Sequence, residues 1–147
     1  MARIKLELPQ HYHFTTRIPV RITDLNYGGH VGNDAVLGML HEARLQYLKQ
    51  WGYTELNVAG TGLIMSDAVL SFKGESFYGD LWEIRIQAAE FSRVGFELYY
   101  VVDADRDGRK HRIAEAKTGM ICFDYATRKP VTVPEVFKTQ VEALANL

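Results

Sequence analysis

One helical segment followed by an unbroken series of strand-like segments constrains this chain more than any other feature. From Asp34 to about Trp51 the apolar residues are Val36, Met39, Leu40, Ala43, Tyr47, Leu48 and Trp51, the spacing of one helix face. Asn33 fits the N-cap of this helix and Gly52 its C′ stop. Ala35, Leu37 and Gly38 lie off the stripe, which predicts burial on more than one side. Beyond Gly60-Thr61-Gly62 the pattern turns β-like over Leu63–Phe72, Leu81–Phe91, Gly95–Asp103 and Arg112–Asp124. Ile84, Ile86 and Ala88 alternate with Arg85 and Gln87, the period of a half-buried strand. A first strand is expected over His13–Thr23, and a short terminal helix over Val133–Leu147 with Pro134 in its first turn. This order predicts an α+β layout, one long helix wrapped by an antiparallel β-sheet.

Composition narrows the class. The 147 residues suit one domain, 1–147, and 47% hydrophobic with 24% charged residues is ordinary for a globular chain. A formal net charge of −1 offers no nucleic acid a basic face. No apolar run approaches spanning length, and Met1–Leu8 has no apolar signal region, so no membrane partner is expected and the expected compartment is cytoplasmic. A single cysteine, Cys122, excludes an internal disulfide and reads as a core thiol.

Three patterns mislead. Asp103-x-Asp105-x-Asp107-Gly108 imitates the front of an EF-hand, but its twelfth position is Ala114 and its flanks read as strands; a polar hairpin is expected. Gly28, Gly29 and Gly32 lack the Gly-Lys-Ser/Thr ending of a phosphate loop. The five histidines show no metal spacing, and His11 and His13 read as a solvated pair near an end expected to be mobile.

The chemistry-bearing stretch is Arg21-Ile22-Thr23-Asp24-Leu25-Asn26-Tyr27-Gly28-Gly29-His30-Val31-Gly32-Asn33-Asp34, which joins a strand to the helix. Glycines allow close backbone approach, and a helix start offers unpaired N–H groups with a partial positive charge. Together these suit a developing oxyanion.

Asp24-x-Asn26-Tyr27-Gly28-Gly29-His30-Val31-Gly32-Asn33, with Leu40-His41-Glu42-Ala43-Arg44 after it, resembles the active-site turn and central helix of the hotdog-fold acyl-CoA thioesterases, in the 4-hydroxybenzoyl-CoA thioesterase group. Gly79-Asp80, Ser92-Arg93-Val94-Gly95-Phe96 and Thr127-Arg128-Lys129-Pro130 fall where that group has similar steps. The resemblance implies a hotdog fold, a homodimer with paired sheet edges that pairs again into a homotetramer, and substrate at the subunit interface. It implies an acyl-CoA or acyl carrier protein thioester as partner, and no cofactor beyond the coenzyme A of the substrate. One departure matters: the family's second acid, nucleophile or general base, is here Asn26, and an amide can do neither.

The candidate catalytic set is therefore Asn26, His30, Asn33 and Asp34. His30 reads either as general base or as a brace of the turn. Backbone N–H groups near Asn33 would hold the oxyanion, one such donor being worth roughly 3–4 kcal/mol in a transition state. Asp34 reads as a helix-dipole acid or a second base, and Asn26 as an orienting amide. Substrate contacts are expected at Asp24, Tyr27, Gly29, Glu42, Ser92, Arg93 and Gly95. Asp24 reads more simply as a turn brace, Glu42 with Arg44 as an ion pair, and Arg93 as a phosphate contact or a plain hairpin arginine. Phe72, Phe77 and Tyr78 read as core packing or an acyl channel. No metal ligand is expected. The function expected is thioester hydrolysis; the rivals are a non-catalytic acyl-CoA binding module and an enoyl-thioester hydratase, whose Asp-x4-His spacing Asp24 and His30 miss by one residue.

Overall fold

A computed structural model describes residues 3–145. Strand β1 (Phe14–Pro19) leads through a short 3-10 turn at Ile22–Asp24 to helix α1 (Asn33–Lys49). Then come β2 (Gly62–Phe72), β3 (Leu81–Ala89), β4 (Gly95–Arg106), β5 (Arg109–Asp124), a two-residue β6 (Lys129–Pro130) and helix α2 (Glu135–Ala145). The sheet order is β1-β3-β4-β5-β2, every pair antiparallel, with β6 beside β5. The edges are thus β1 and β2.

Helix α1 buries Val36, Met39, Leu40, Ala43, Tyr47 and Leu48 against the sheet, as the spacing predicts. Burial stays on one side: Gly38 is exposed, and Ala35 and Leu37 are only half-buried. Gly52 (φ +79°) closes the helix in a Schellman pair, Tyr53 N–H to Leu48 O and Gly52 N–H to Lys49 O. Trp82, Ile84, Ile86 and Ala88 of β3 face the same core, joined by Phe96, Leu98, Tyr100 and Val102 of β4. Phe137 of α2 is wholly buried in a cluster of aromatic rings with Trp51, Tyr53, Phe91 and Phe96.

Several boundaries differ from the sequence expectation. The first strand stops at Pro19 rather than Thr23, because proline has no N–H for the ladder and the next residues coil into the 3-10 turn. The helix N-cap is Gly32, not Asn33, and Pro134 precedes α2 rather than sitting inside it. The expected helix end at Asn146–Leu147 lies outside the described residues. β3 ends two residues early, at Ala89, where Glu90 takes a left-handed turn (φ +53°). β4 and β5 run further, to a two-residue turn at Asp107-Gly108 with φ of +53° and +75°, a type I′ hairpin and no calcium loop. His13 is tethered, its N–H bonded to Gln87, and Tyr12 lies against the Arg85 guanidinium on the outer face of the sheet. Among the described residues no helix is long and apolar enough to cross a membrane.

Phe137→Ala removes the ring on which α2 and the end of α1 meet. It is expected to cost about 3–5 kcal/mol, read as a lower urea midpoint at unchanged slope.

Candidate active site

The turn after β1 is a small hairpin hung from its neighbours. Leu25 pairs with Val31, and the Asn26 N–H donates to His30 O at 2.8 Å. The Asn26 Oδ1 accepts the Gly28 N–H at 2.9 Å, an Asx turn, and Gly29 (φ +84°) lets the chain reverse. Asp24 is buried beneath. Its carboxylate accepts the Arg21 backbone N–H at 2.8 Å and the Arg21 guanidinium at 3.1 Å. Burial pushes this carboxyl up, but the bonds from Arg21 outweigh it and hold Asp24 below the usual aspartate range. Asp24 therefore braces the turn, and its oxygens are engaged.

The other wall is the segment joining β2 to β3. Val31 N–H donates to Ser76 O at 2.8 Å, and His30 bridges to Phe77. That segment is fixed by Asp80, which accepts bonds from Ser76 Oγ (2.7 Å), Phe77 N–H (2.9 Å) and two nitrogens of Arg106 (2.9 and 2.7 Å). Trp82 Nε1 donates to Ser76 Oγ at 2.7 Å, and Arg106 Nη2 donates to Glu75 O at 2.7 Å. Burial favours a neutral Asp80, but these donors reverse it and hold the carboxyl near pH 2. Sequence reasoning singled out Gly79-Asp80 only as a family-like step. Nothing local announces that Arg106, at the far end of β4, is its partner.

Between these walls lies a cleft of about 460 Å³ lined by Asn26, His30, Val31, Gly32, Asn33, Asp34, Phe72, Lys73, Gly74 and Glu75. The structure thus brings all four candidate catalytic residues to one place. Gly28 and Gly32 make this possible. A Cβ at position 28 would crowd both the Asn26 Oδ1 (3.2 Å) and the His30 ring (3.4 Å); at position 32 it would collide with the Asp34 carboxylate. Asn33 and Asp34 open α1, and their N–H groups find no acceptor among the described residues. The His30 ring stands edge-on to Phe77 at 6.2 Å, and its Nε2 lies 3.8 Å from Glu75 Oε1.

The remaining expected contacts fall elsewhere. Tyr27 projects fully into solvent, and Gly29 shapes the turn without lining the cleft. Glu42 faces separate grooves between α1 and β1, so within one chain it is no rival base. It does not pair with Arg44 either. Arg44 is buried, bonding Glu55 at 2.9 Å and Tyr100 Oη at 3.2 Å. Ser92, Arg93 and Gly95 sit at the opposite end of β3, about 25 Å away at the rise of a strand. Ser92 closes its turn by bonding Gly95 through both backbone and hydroxyl, and Arg93 is exposed. Phe72, Phe77 and Tyr78 are exposed, which overturns core packing for all three. Cys122 is wholly buried, and burial pushes its thiol up, so it is no nucleophile. Among the described residues no three His, Cys, Asp or Glu side chains gather as a metal site.

Residues 20–141 match the model of the thioesterase-like superfamily. The chain belongs to that superfamily. No curated protein matches it in sequence. Solved structures with its fold include the 1,4-dihydroxy-2-naphthoyl-CoA thioesterase of Synechocystis, 22% identical over 87% of this chain and 94% of that one, TM-score 0.77. The DHNA-CoA thioesterase of Staphylococcus aureus is 20% identical over 90% and 92%, TM-score 0.76. A thioesterase-superfamily protein of Jannaschia is 19% identical over 95% and 87%, TM-score 0.79. The architecture of this superfamily member is accordingly the α+β hotdog fold.

The Asp80 network has a pH signature. A carboxyl lowered from 3.8 to about 2 stabilises the folded state fully above the unfolded value, and this is lost as pH falls through 2. The contribution is about 2 kcal/mol. Unfolding free energies of wild type and Asp80→Asn should therefore differ most above pH 4 and converge towards pH 2.

Proposed function

We propose that this chain hydrolyses a thioester of coenzyme A to the free acid and the thiol. The observation that carries this reading is the pair of unpaired N–H groups at Asn33 and Asp34, opening into the cleft that holds His30. A thioester carbonyl oxygen placed there gains donors that need no reorganisation as negative charge develops. Water attacks the carbonyl carbon while His30 takes its proton. The tetrahedral oxyanion rests on the helix-start amides, then collapses and expels the thiolate, which recovers the proton from His30. Asn26 Oδ1 accepts the Gly28 N–H, and its NH₂ is available as a donor to water or carbonyl. Asp34, whose carboxylate folds over Gly32, is the second proton acceptor within the cleft.

Phe72 and Phe77, exposed beside the cleft, favour an apolar acyl group. Two of the similar structures are named as thioesterases of 1,4-dihydroxy-2-naphthoyl-CoA or DHNA-CoA, which supports coenzyme A as the carrier. The active unit is read as a homodimer paired along β2. That strand is a free edge with Met65 and Ala68 exposed. Antiparallel pairing centred near Asp67 sets Phe72 of one chain beside the Gly62 end of the other. The Gly62 end is also the Gly95 end of the sheet, because Gly62 pairs with Phe123 and Gly95 with Ile121. Such a pairing carries the partner subunit's Ser92 and Arg93 towards the His30 cleft, which reconciles two groups that lie apart in one chain. A dimer in analytical ultracentrifugation is expected; a monomer at assay concentrations would sink this arrangement.

A second reading, acyl-CoA binding without turnover, is favoured by Asn26 standing where the family carries an acid. Thiol release from aliphatic and aromatic acyl-CoAs decides between them. Turnover is expected in wild type, with a loss of at least about 100-fold in His30→Ala. Saturable binding with no turnover in wild type would establish the binder instead.

A further inference from the structure

Position 26 lacks a carboxylate, yet the cleft holds one on its opposite wall. Glu75 Oε1 lies 3.8 Å from His30 Nε2, and among the described residues no lysine or arginine side chain pairs with it. The backbone on which Glu75 stands is fixed. Arg106 grips the Glu75 carbonyl at 2.7 Å, and the flanking Ser76 and Phe77 are bonded to Val31 and Asp80. The Glu75 backbone is thereby held, while its side chain, 68% exposed, sets the carboxylate beside the Nε2 edge of the imidazole.

We propose that Glu75 is the positioning residue of His30. Resting on the hydrolase reading above, this gives the base a carboxylate that orients it and stabilises the imidazolium formed when water loses its proton. An anion beside Nε2 favours the hydrogen on that nitrogen, leaving the Nδ1 lone pair to accept the proton from water. Other charged groups face the same ring environment: Asp34 from α1, Lys73 from the end of β2, and Arg106 stacked at 5.0 Å on Phe77 behind it. Lys73 approaches Glu115 at 4.0 Å, and Arg106 is tied to Asp80, so neither neutralises Glu75. The role falls to Glu75 because it is the carboxylate within ion-pair distance of the imidazole, whereas Asp34 folds over Gly32 and Asn26 carries no charge.

The test pairs a titration with kinetics on the full chain. The His30 imidazole is followed by NMR against pH at low ionic strength in wild type, Glu75→Gln and Glu75→Asp, which needs no turnover. Glu75→Gln should move the midpoint lower, through the loss of one negative charge beside the ring. Glu75→Asp should recover part of that. In the acyl-CoA assay Glu75→Gln should lower kcat about tenfold at unchanged KM, with the rising limb of the pH profile displaced to lower pH. An unmoved midpoint in Glu75→Gln overturns the pairing, as does a wild-type kcat and pH limb in that variant. A moved midpoint in a protein that turns over no thioester keeps the pairing and removes the hydrolase reading instead.

Discussion

One wall of the cleft depends on one ion pair, Asp80 with Arg106. Asp80 closes the turn before β3 and is only 8% exposed; Arg106 comes from the last residue of β4, twenty-six positions later. Joined, they fix Ser76, which takes the indole N–H of fully buried Trp82 and lends its carbonyl to Val31. The Asn26–Asp34 turn is thus suspended from the sheet by a chain of bonds that begins at a hairpin on the far side of the β2–β3 loop. Charged hydrogen bonds are short and directional. They hold a glycine-rich turn still without filling it with bulk. Both carboxylate oxygens of Asp80 accept bonds, which is why burial of an aspartate there is tolerated.

The opposite wall achieves rigidity differently. Its turn carries glycines wherever a side chain would collide, and fills the space with functional groups instead: Asn26 and His30 around Gly28, Asp34 over Gly32. The cleft therefore consists of polar side chains crowding backbone that has no Cβ of its own. This explains how three functional side chains and two helix-start amides share a cavity of about 460 Å³.

What could be read from the sequence followed from periodicity and local chemistry. Val36 to Leu48 declared the helix face, Ile84 to Ala88 the inner face of β3, and Asp107-Gly108 the hairpin, because each signal lies within a few residues. The turn from Asn26 to Asp34 was legible for the same reason: its residues are neighbours in the chain and in space. Glu75 and Arg106 carry no signal in the sequence, and Asp80 stands out only as a family-like step, because their partners are 45 and 26 residues away, joined only by tertiary contact. Arg44 was misassigned to Glu42, two positions away, since such neighbours on a helix point in different directions. It turns inward to Glu55, Tyr100 and the Tyr100–Thr118 hydroxyl pair. Ser92 and Arg93 are invisible to the cleft within one chain, and no pattern along the sequence encodes a second chain's position.

The buried cysteine gives this protein an internal clock. Its one thiol, at Cys122, lies wholly inside the core, is raised by burial, and takes part in none of the proposed chemistry. A disulfide reagent added to the folded chain meets no reactive sulfur, so each labelled molecule records one opening of the β5 region. The rate of labelling then reports how often the core breathes, and substrate that clamps the fold slows it in proportion to its binding.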